Sequence, residues 1–395
     1  MAMLFVCGFN QFEQLNCLIE KETSGSNKED NVVTKLIRSP CQDIRDVYVT
    51  WSNVLVVRRN GVTINGFLDG VLVKSKSVNP PFVEPVIQAS GTRSRWIFVS
   101  EKGECWEYCS GKWRLLNYLF PPPGTNEEES ISGSIADSTG TEQDGTMPGQ
   151  IASSSVEKLD KSAYRLKVMK VVCGSTLTVG LTTDGLVYTL PVLMKFPVGT
   201  PPIKDIACGL EHAVALSEDG RVFTWGCGTR GQLGLGNLEN CKQPTEVEAL
   251  TGLKVSCISA GGWHSAAVTA DGDVYTWGWN KEGQLGHPCI NSDSWEGKVG
   301  VLAEPRAVDW PQGINVTVNS VSCGTTHTVS ILDNGEAWGC GRNQWGQLGS
   351  EKYQFTDKMT KLDMPDAVIA TKIHCAAWNT IIFAKHAETK SASAQ

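Results

Sequence analysis

Three histidines, His212, His264 and His327, each stand three residues after a glycine, Gly209, Gly261 and Gly324. A recurring histidine raises the question of a metal centre, because imidazole is a common ligand for zinc, copper and iron. Ligands must converge, yet these three fall in separate copies of one unit. The equivalent positions elsewhere are Ser94, Leu177 and Asn379, which cannot all bind a metal. Each histidine is therefore expected to hydrogen-bond within its own sheet and tie it to adjoining backbone, a structural role shared by the three Gly and His pairs. Other reactive types lead no further. Ser265 lies beside His264 in GGWHS, but the GxSxG elbow of a serine hydrolase and its helix are missing. GWNKEGQLG at 278–286 lacks the GxxxxGK signature of a phosphate cradle and runs on into another strand. Cys105 and Cys109 are four apart with no CxxC pair, so zinc is not expected. No catalytic, cofactor-binding or metal residue is expected, and the chain is read as non-enzymatic.

The elements that carry these residues repeat. CGLEHAVALSEDGRVFTWGCGTRGQLG at 208–234 is followed by AGGWHSAAVTADGDVYTWGWNKEGQLG at 260–286 and CGTTHTVSILDNGEAWGCGRNQWGQLG at 323–349. Alternation with period two on either side of Asp219-Gly220, Asp271-Gly272 and Asn334-Gly335 predicts β-hairpins closed by two-residue turns. Weaker copies lie at 51–67, 90–106 and 173–190. A seventh is split, with its first half at 375–384 and its second at 4–15. The halves complement each other if the ring is closed, which removes two exposed sheet edges. The expected fold is all-β, a seven-bladed propeller over 1–386 closed by the N-terminal strand pairing with the C-terminal blade. Residues 387–395 are expected to be a flexible tail.

Composition sets further bounds. Of 395 residues, 41% are apolar and 19% charged, enough for a large core. The N-terminal run MAMLFVCGF lacks the basic flank of a secretory signal, and no stretch has the length and apolarity of a membrane span. Fourteen cysteines, several phased with the repeat, read as small buried hydrophobes and free thiols of a reducing compartment. The net charge of −7 does not supply the field for an electrostatic grip on DNA, so no sequence-specific DNA binding is expected, although a local basic rim is compatible with it. Residues 124–158 form an acidic Ser/Thr/Gly-rich insertion too poor in apolar residues to order alone.

If the repeat is scaffold, function resides where copies differ. Trp279 and Trp345 replace smaller residues in the exit segments, beside Arg230, Lys281 and Arg342. A second long excursion, 287–320, carries Trp295 and Trp310. Tryptophan and arginine suit a binding surface, since each contributes large desolvated contacts. Packing within a blade is the competing role for each tryptophan.

The unit GGWHSAAVTADGDVYTWGWNKEGQLG closely resembles the regulator of chromosome condensation repeat family, whose members form seven-bladed propellers. The resemblance covers 4–15 and nearly all of 47–384 apart from the insertion. The offset N-terminal strand and the GWH and AAWNT segments are most similar to short stand-alone members. That resemblance, and nothing in composition or spacing, implies a nuclear adaptor, monomeric, partnered with a Jumonji-C oxygenase. It further implies a connection to histone methylation and chromosome segregation, with a possible histone or nucleosome contact. The founding member accelerates nucleotide exchange on a Ran-type small GTPase and binds nucleosomes, so an exchange factor is the alternative. The sequence departs from that member in having no basic tail ahead of the closing strand.

Overall fold

In the second strand of three units, His212–Ser217, His264–Thr269 and His327–Leu332, every residue is buried. A strand buried on both faces must be sandwiched between two apolar layers. Val214 and Leu216 face one neighbouring sheet while Ala213 and Ala215 face the other. Repeated along the chain, this two-sided packing yields seven apolar clusters, one at each seam between adjacent sheets.

The computed structural model describes residues 3–19, 32–40, 43–119, 166–291, 297–311 and 316–387. The acidic insertion, Trp295 and all but the first residue of the predicted tail lie outside them. Among the described residues there are seven four-stranded antiparallel sheets. Blades 1 to 6 span 44–78, 86–115, 168–193, 203–246, 255–307 and 318–361. Their innermost strands contact one another in an unbroken cycle, blade 7 against blade 1 included. The molecule is a seven-bladed β-propeller.

Blade 7 takes Val368–Ala376 and Asn379–His386 from one end of the sequence and Met3–Phe9 and Val32–Arg38 from the other. Leu4 pairs with Phe383 and Val6 with Ile381, while Phe5 pairs with Arg38 on the opposite side. The sequence predicts one closing strand and the structure uses two. The segment from Met3 is a third strand, and the blade still needs an outer strand before blade 1 begins.

The hairpin turns also differ from expectation. Ser217 N donates to Arg221 O at 3.0 Å and Gly220 N to Ser217 O at 3.1 Å, with Gly220 alone left-handed at φ +94°. This is a three-residue loop, a type I turn followed by a left-handed glycine. Asp271-Gly272 and Asn334-Gly335 close in the same way. Two-residue turns with both residues left-handed occur in outer hairpins instead, at Asp69-Gly70 and Ser110-Gly111.

The repeat histidines do not bond within their own blades. His212 Nε2 reaches Ser265 Oγ of the next blade at 2.8 Å, His264 reaches Thr328 Oγ1 at 2.9 Å, and His327 reaches Thr380 Oγ1 at 3.1 Å. Each hydroxyl in turn donates to the carbonyl of a GQLG glutamine, Gln232, Gln284 or Gln347, at 2.6 to 3.0 Å. The hydroxyl proton is thus committed, so Nε2 must carry the imidazole proton and donate. Arg95 makes the equivalent cross-seam bond to Thr178 at 2.6 Å, and Asn53 accepts from Trp96 Nε1 at 3.0 Å. Arg95, not Ser94, therefore holds the histidine position in blade 2. The register between blades, which a single sequence does not display, decides these partners.

Candidate functional site

Strand direction puts two sets of links on the same face: those between first and second strands, and those between third and fourth. Blades 1 to 3 make the latter link with tight turns. Blades 4 to 7 make it with longer exits, 227–240, 280–300, 343–354 and 10–31, which fall on four consecutive blades. The exits share an internal frame. Gln232, Gln284, Gln347 and Gln14 each accept a backbone N–H two residues back through Oε1, at 2.8 to 3.0 Å. The following leucines, Leu233, Leu285, Leu348 and Leu15, are fully buried plugs. The 10–15 segment is thus a fourth copy, in which Phe12 takes the position held by Arg230, Glu282 and Trp345.

Around this frame the variable residues meet aromatic rings of neighbouring links and strand ends. Arg230 Cζ lies 3.9 Å from the ring centroid of Trp263 and 5.0 Å from that of Trp279, whose rings meet edge-on at 5.4 Å. Across the face, Trp345 packs edge-on against Phe9 at 5.2 Å and lies 6.2 Å from Trp378. Trp378 meets Trp51 at 6.0 Å, Trp51 meets Phe12 at 5.3 Å, and Arg93 Cζ stands 5.1 Å over Trp51. Lys281 is exposed on the same face, and Arg342 there hydrogen-bonds Gln344. Between the clusters opens a central cavity of about 480 Å³, lined by the residue that opens each of the seven units, Trp51, Gly91, Gly174, Gly209, Gly261, Gly324 and Ala376.

Of the residues singled out in the sequence, Arg230, Trp279, Lys281, Arg342 and Trp345 share this face. Trp310 does not. It follows the outer strand Val301–Ala307, at the opposite face, and packs on Trp338 at 5.9 Å in the seam between blades 5 and 6. It is not an anchor on the exit face, because its half-buried ring packs against that seam. Sequence reasoning passed over Trp51, Arg93, Trp263 and Trp378, which the short links carry. Their signal was position: each lies at, or within two residues after, the opening residue of a unit, which is Gly or Ala in every copy but Trp51.

Reactive groups are subdued. Burial pushes His212 and His264 down to about 3 and His327 to about 4, so all three are neutral. Cys173, Cys208, Cys323 and Cys375 line the cavity wall, and burial raises each thiol well above its usual range, which suppresses the thiolate. The thirteen described cysteines are free. Among the described residues no group of three or more His, Cys, Asp or Glu is placed to hold a metal ion. No described helix is long and apolar enough to cross a membrane.

Comparison with known proteins identifies the repeat. Two profiles of the regulator of chromosome condensation (RCC1) repeat match, one at 219–268 and 271–331, the other at 203–232, 255–284 and 318–347. RCC1 domain-containing protein 1 of Homo sapiens is 34% identical over 212 residues, covering 46% of this chain and 56% of that protein. Its Mus musculus counterpart is 32% identical over 245 residues, covering 51% and 63%. The matches therefore span a little over half the length of these curated relatives. Human WBSCR16 superposes with a TM-score of 0.70 at 18% identity, over 98% of this chain and 99% of the other. Prp20p of Saccharomyces cerevisiae, reported with its binding properties to Gsp1p and histones, gives 0.69 at 18% identity, over 98% and 92%. At that identity the structural likeness concerns the fold.

Proposed function

The chain belongs to the regulator of chromosome condensation (RCC1) repeat β-propeller family, and on that premise we propose that it is a non-enzymatic scaffold docking a Jumonji-C oxygenase that acts on lysine or arginine. The observation that supports the reading is the cluster of aromatic and guanidinium groups on the face that carries the exits. The exits of blades 4 to 6 and the strand ends that lead into them carry Arg230, Trp279, Lys281, Arg342 and Trp345 on the face where the central cavity opens, and aromatic and guanidinium groups of this kind make strong interface contacts. On this reading the chain works as a monomeric propeller in the nucleus, in chromatin regulation, histone methylation and chromosome segregation. Contact with histones or a nucleosome is secondary to the oxygenase, and the reported binding of Prp20p to histones is a reason to test it.

Purified chain and purified Jumonji-C oxygenase should form a complex, and Trp279→Ala should weaken it about tenfold, as for an interface anchor. The second reading, an exchange factor for a Ran-type small GTPase, takes its support from the fold it shares with Prp20p and that protein's reported binding to Gsp1p. Acceleration of GDP release from such a GTPase by catalytic amounts of the chain would replace the scaffold reading.

A further inference from the structure

We propose that Arg93 and Arg230 form a clamp for the carboxylates of an acidic protein segment whose apolar residue enters the central cavity. The inference rests on this face being the docking face, and not on which protein docks.

Both guanidinium groups are held by rings, Arg230 over Trp263 and Trp279, Arg93 over Trp51. Such stacking fixes the plane of the group and strips water from one side, yet consumes none of its five N–H donors. Among the described residues neither side chain has a carboxylate within ion-pair distance. The contrast with Arg95, two residues from Arg93, is direct. Arg95 is committed to Glu107 at 3.2 Å and Thr178 at 2.6 Å. Two preorganised guanidinium groups with uncommitted donors are built to take carboxylates.

The cavity sets the rest of the ligand's chemistry. Among the described residues Arg93 is the one charged side chain on its wall, which otherwise consists of small residues, thiols, Val49, Leu210 and two tryptophans. Its positive charge therefore faces an opening without a counter-ion, next to apolar space of about 480 Å³. Glu211 and Glu282 stand on neighbouring loops, but neither lines the cavity. A leucine-sized side chain flanked by acidic residues matches both features. A nucleic acid fits less well, since tracking a phosphate backbone needs a run of cations and the described cavity wall carries one.

The probe is a capped Glu-Glu-Leu-Glu-Glu peptide, titrated into the full chain while its tryptophan fluorescence is followed. Binding should perturb the emission and weaken about fivefold or more between about 50 and 300 mM salt. The Gln-Gln-Leu-Gln-Gln peptide should not bind, and Arg93→Gln and Arg230→Gln should each weaken the acidic peptide about tenfold. Arg93 is exposed, so its variant should retain the parent thermal midpoint and report on binding alone. Equal binding of the neutral peptide, unchanged binding to both variants, or tighter binding of mixed-sequence single-stranded DNA overturns the clamp. If the peptide fails while the oxygenase still binds, the clamp is rejected and the scaffold stands. If the oxygenase fails while the peptide binds, the reverse holds.

Discussion

His264 shows how a single side chain connects two blades. Its ring packs so closely on Gly261 that an added Cβ there would lie 2.2 Å from His264 Cε1 and 2.4 Å from the Gly324 carbonyl. Gly261→Val should therefore prevent folding, seen as loss of a cooperative thermal transition. His264→Ala removes the cross-seam bond and leaves the Thr328 hydroxyl short of a donor, a loss of about 2 to 4 kcal/mol by denaturant titration. The three histidines also set a pH dependence. Their folded values near 3 to 4 lie below the ordinary value of 6.5, so the unfolded chain binds more protons between the two. Stability is complete above pH ~6.5 and falls as the pH drops, with each histidine adding up to about 1.4 kcal/mol per pH unit. Asp46 behaves differently. Burial alone would raise its carboxyl, but hydrogen bonds and charge from His374 and Lys372 hold it well below its usual 3.8, so its contribution is lost only in stronger acid. Denaturant midpoints should therefore fall between pH 7 and 5, and less steeply in His264→Ala. A flat profile would mean the imidazoles are not buried and neutral.

The exit loop is the element that joins scaffold to surface. Its leucine is a plug and its glutamine carbonyl collects donors from the next blade, at Gln232 from Ser265 Oγ and Trp277 Nε1. Leu285→Ala should cost about 3 kcal/mol through cavity formation, measured by denaturant titration, although the loop lies at the surface end of its blade. Trp345→Ala should lower the thermal midpoint more than Trp279→Ala. Trp345 packs on Phe9 and Trp378 where the chain ends meet, whereas Trp279 leans on Trp263 in one blade. At this scale much was legible in the sequence. Asp-Gly and Asn-Gly between alternating runs located the hairpins, and the repeated GQLG located the exits. The turn length was misjudged, because Asp-Gly fits both a two-residue turn and the last two residues of a three-residue loop. The direction of the histidines and the place of Trp310 were beyond reach, since both depend on how one sheet lies against the next.

At the scale of the molecule, closure decides whether the aromatic face exists. Phe9 and Phe12 reach Trp345, Trp378 and Trp51 only because the N-terminal strands complete blade 7. The net charge also belongs to this scale. Seven carboxylates and a single lysine fall within 124–158, so most of the excess acid is carried by the insertion rather than by the blades. That explains how a chain of net charge −7 can present unpaired arginines on one face. Splitting one blade between the two ends was legible, because half-repeats at 4–15 and 375–384 complement each other. Hydrogen exchange read by mass spectrometry over Met3–Phe9 and Asn379–His386 tests closure most directly. The account predicts that both segments exchange with the slowest strands and open together in one global event, and that Phe5→Ala loosens the two in step. Rapid exchange of Asn379–His386, as from an unpaired sheet edge, would contradict it.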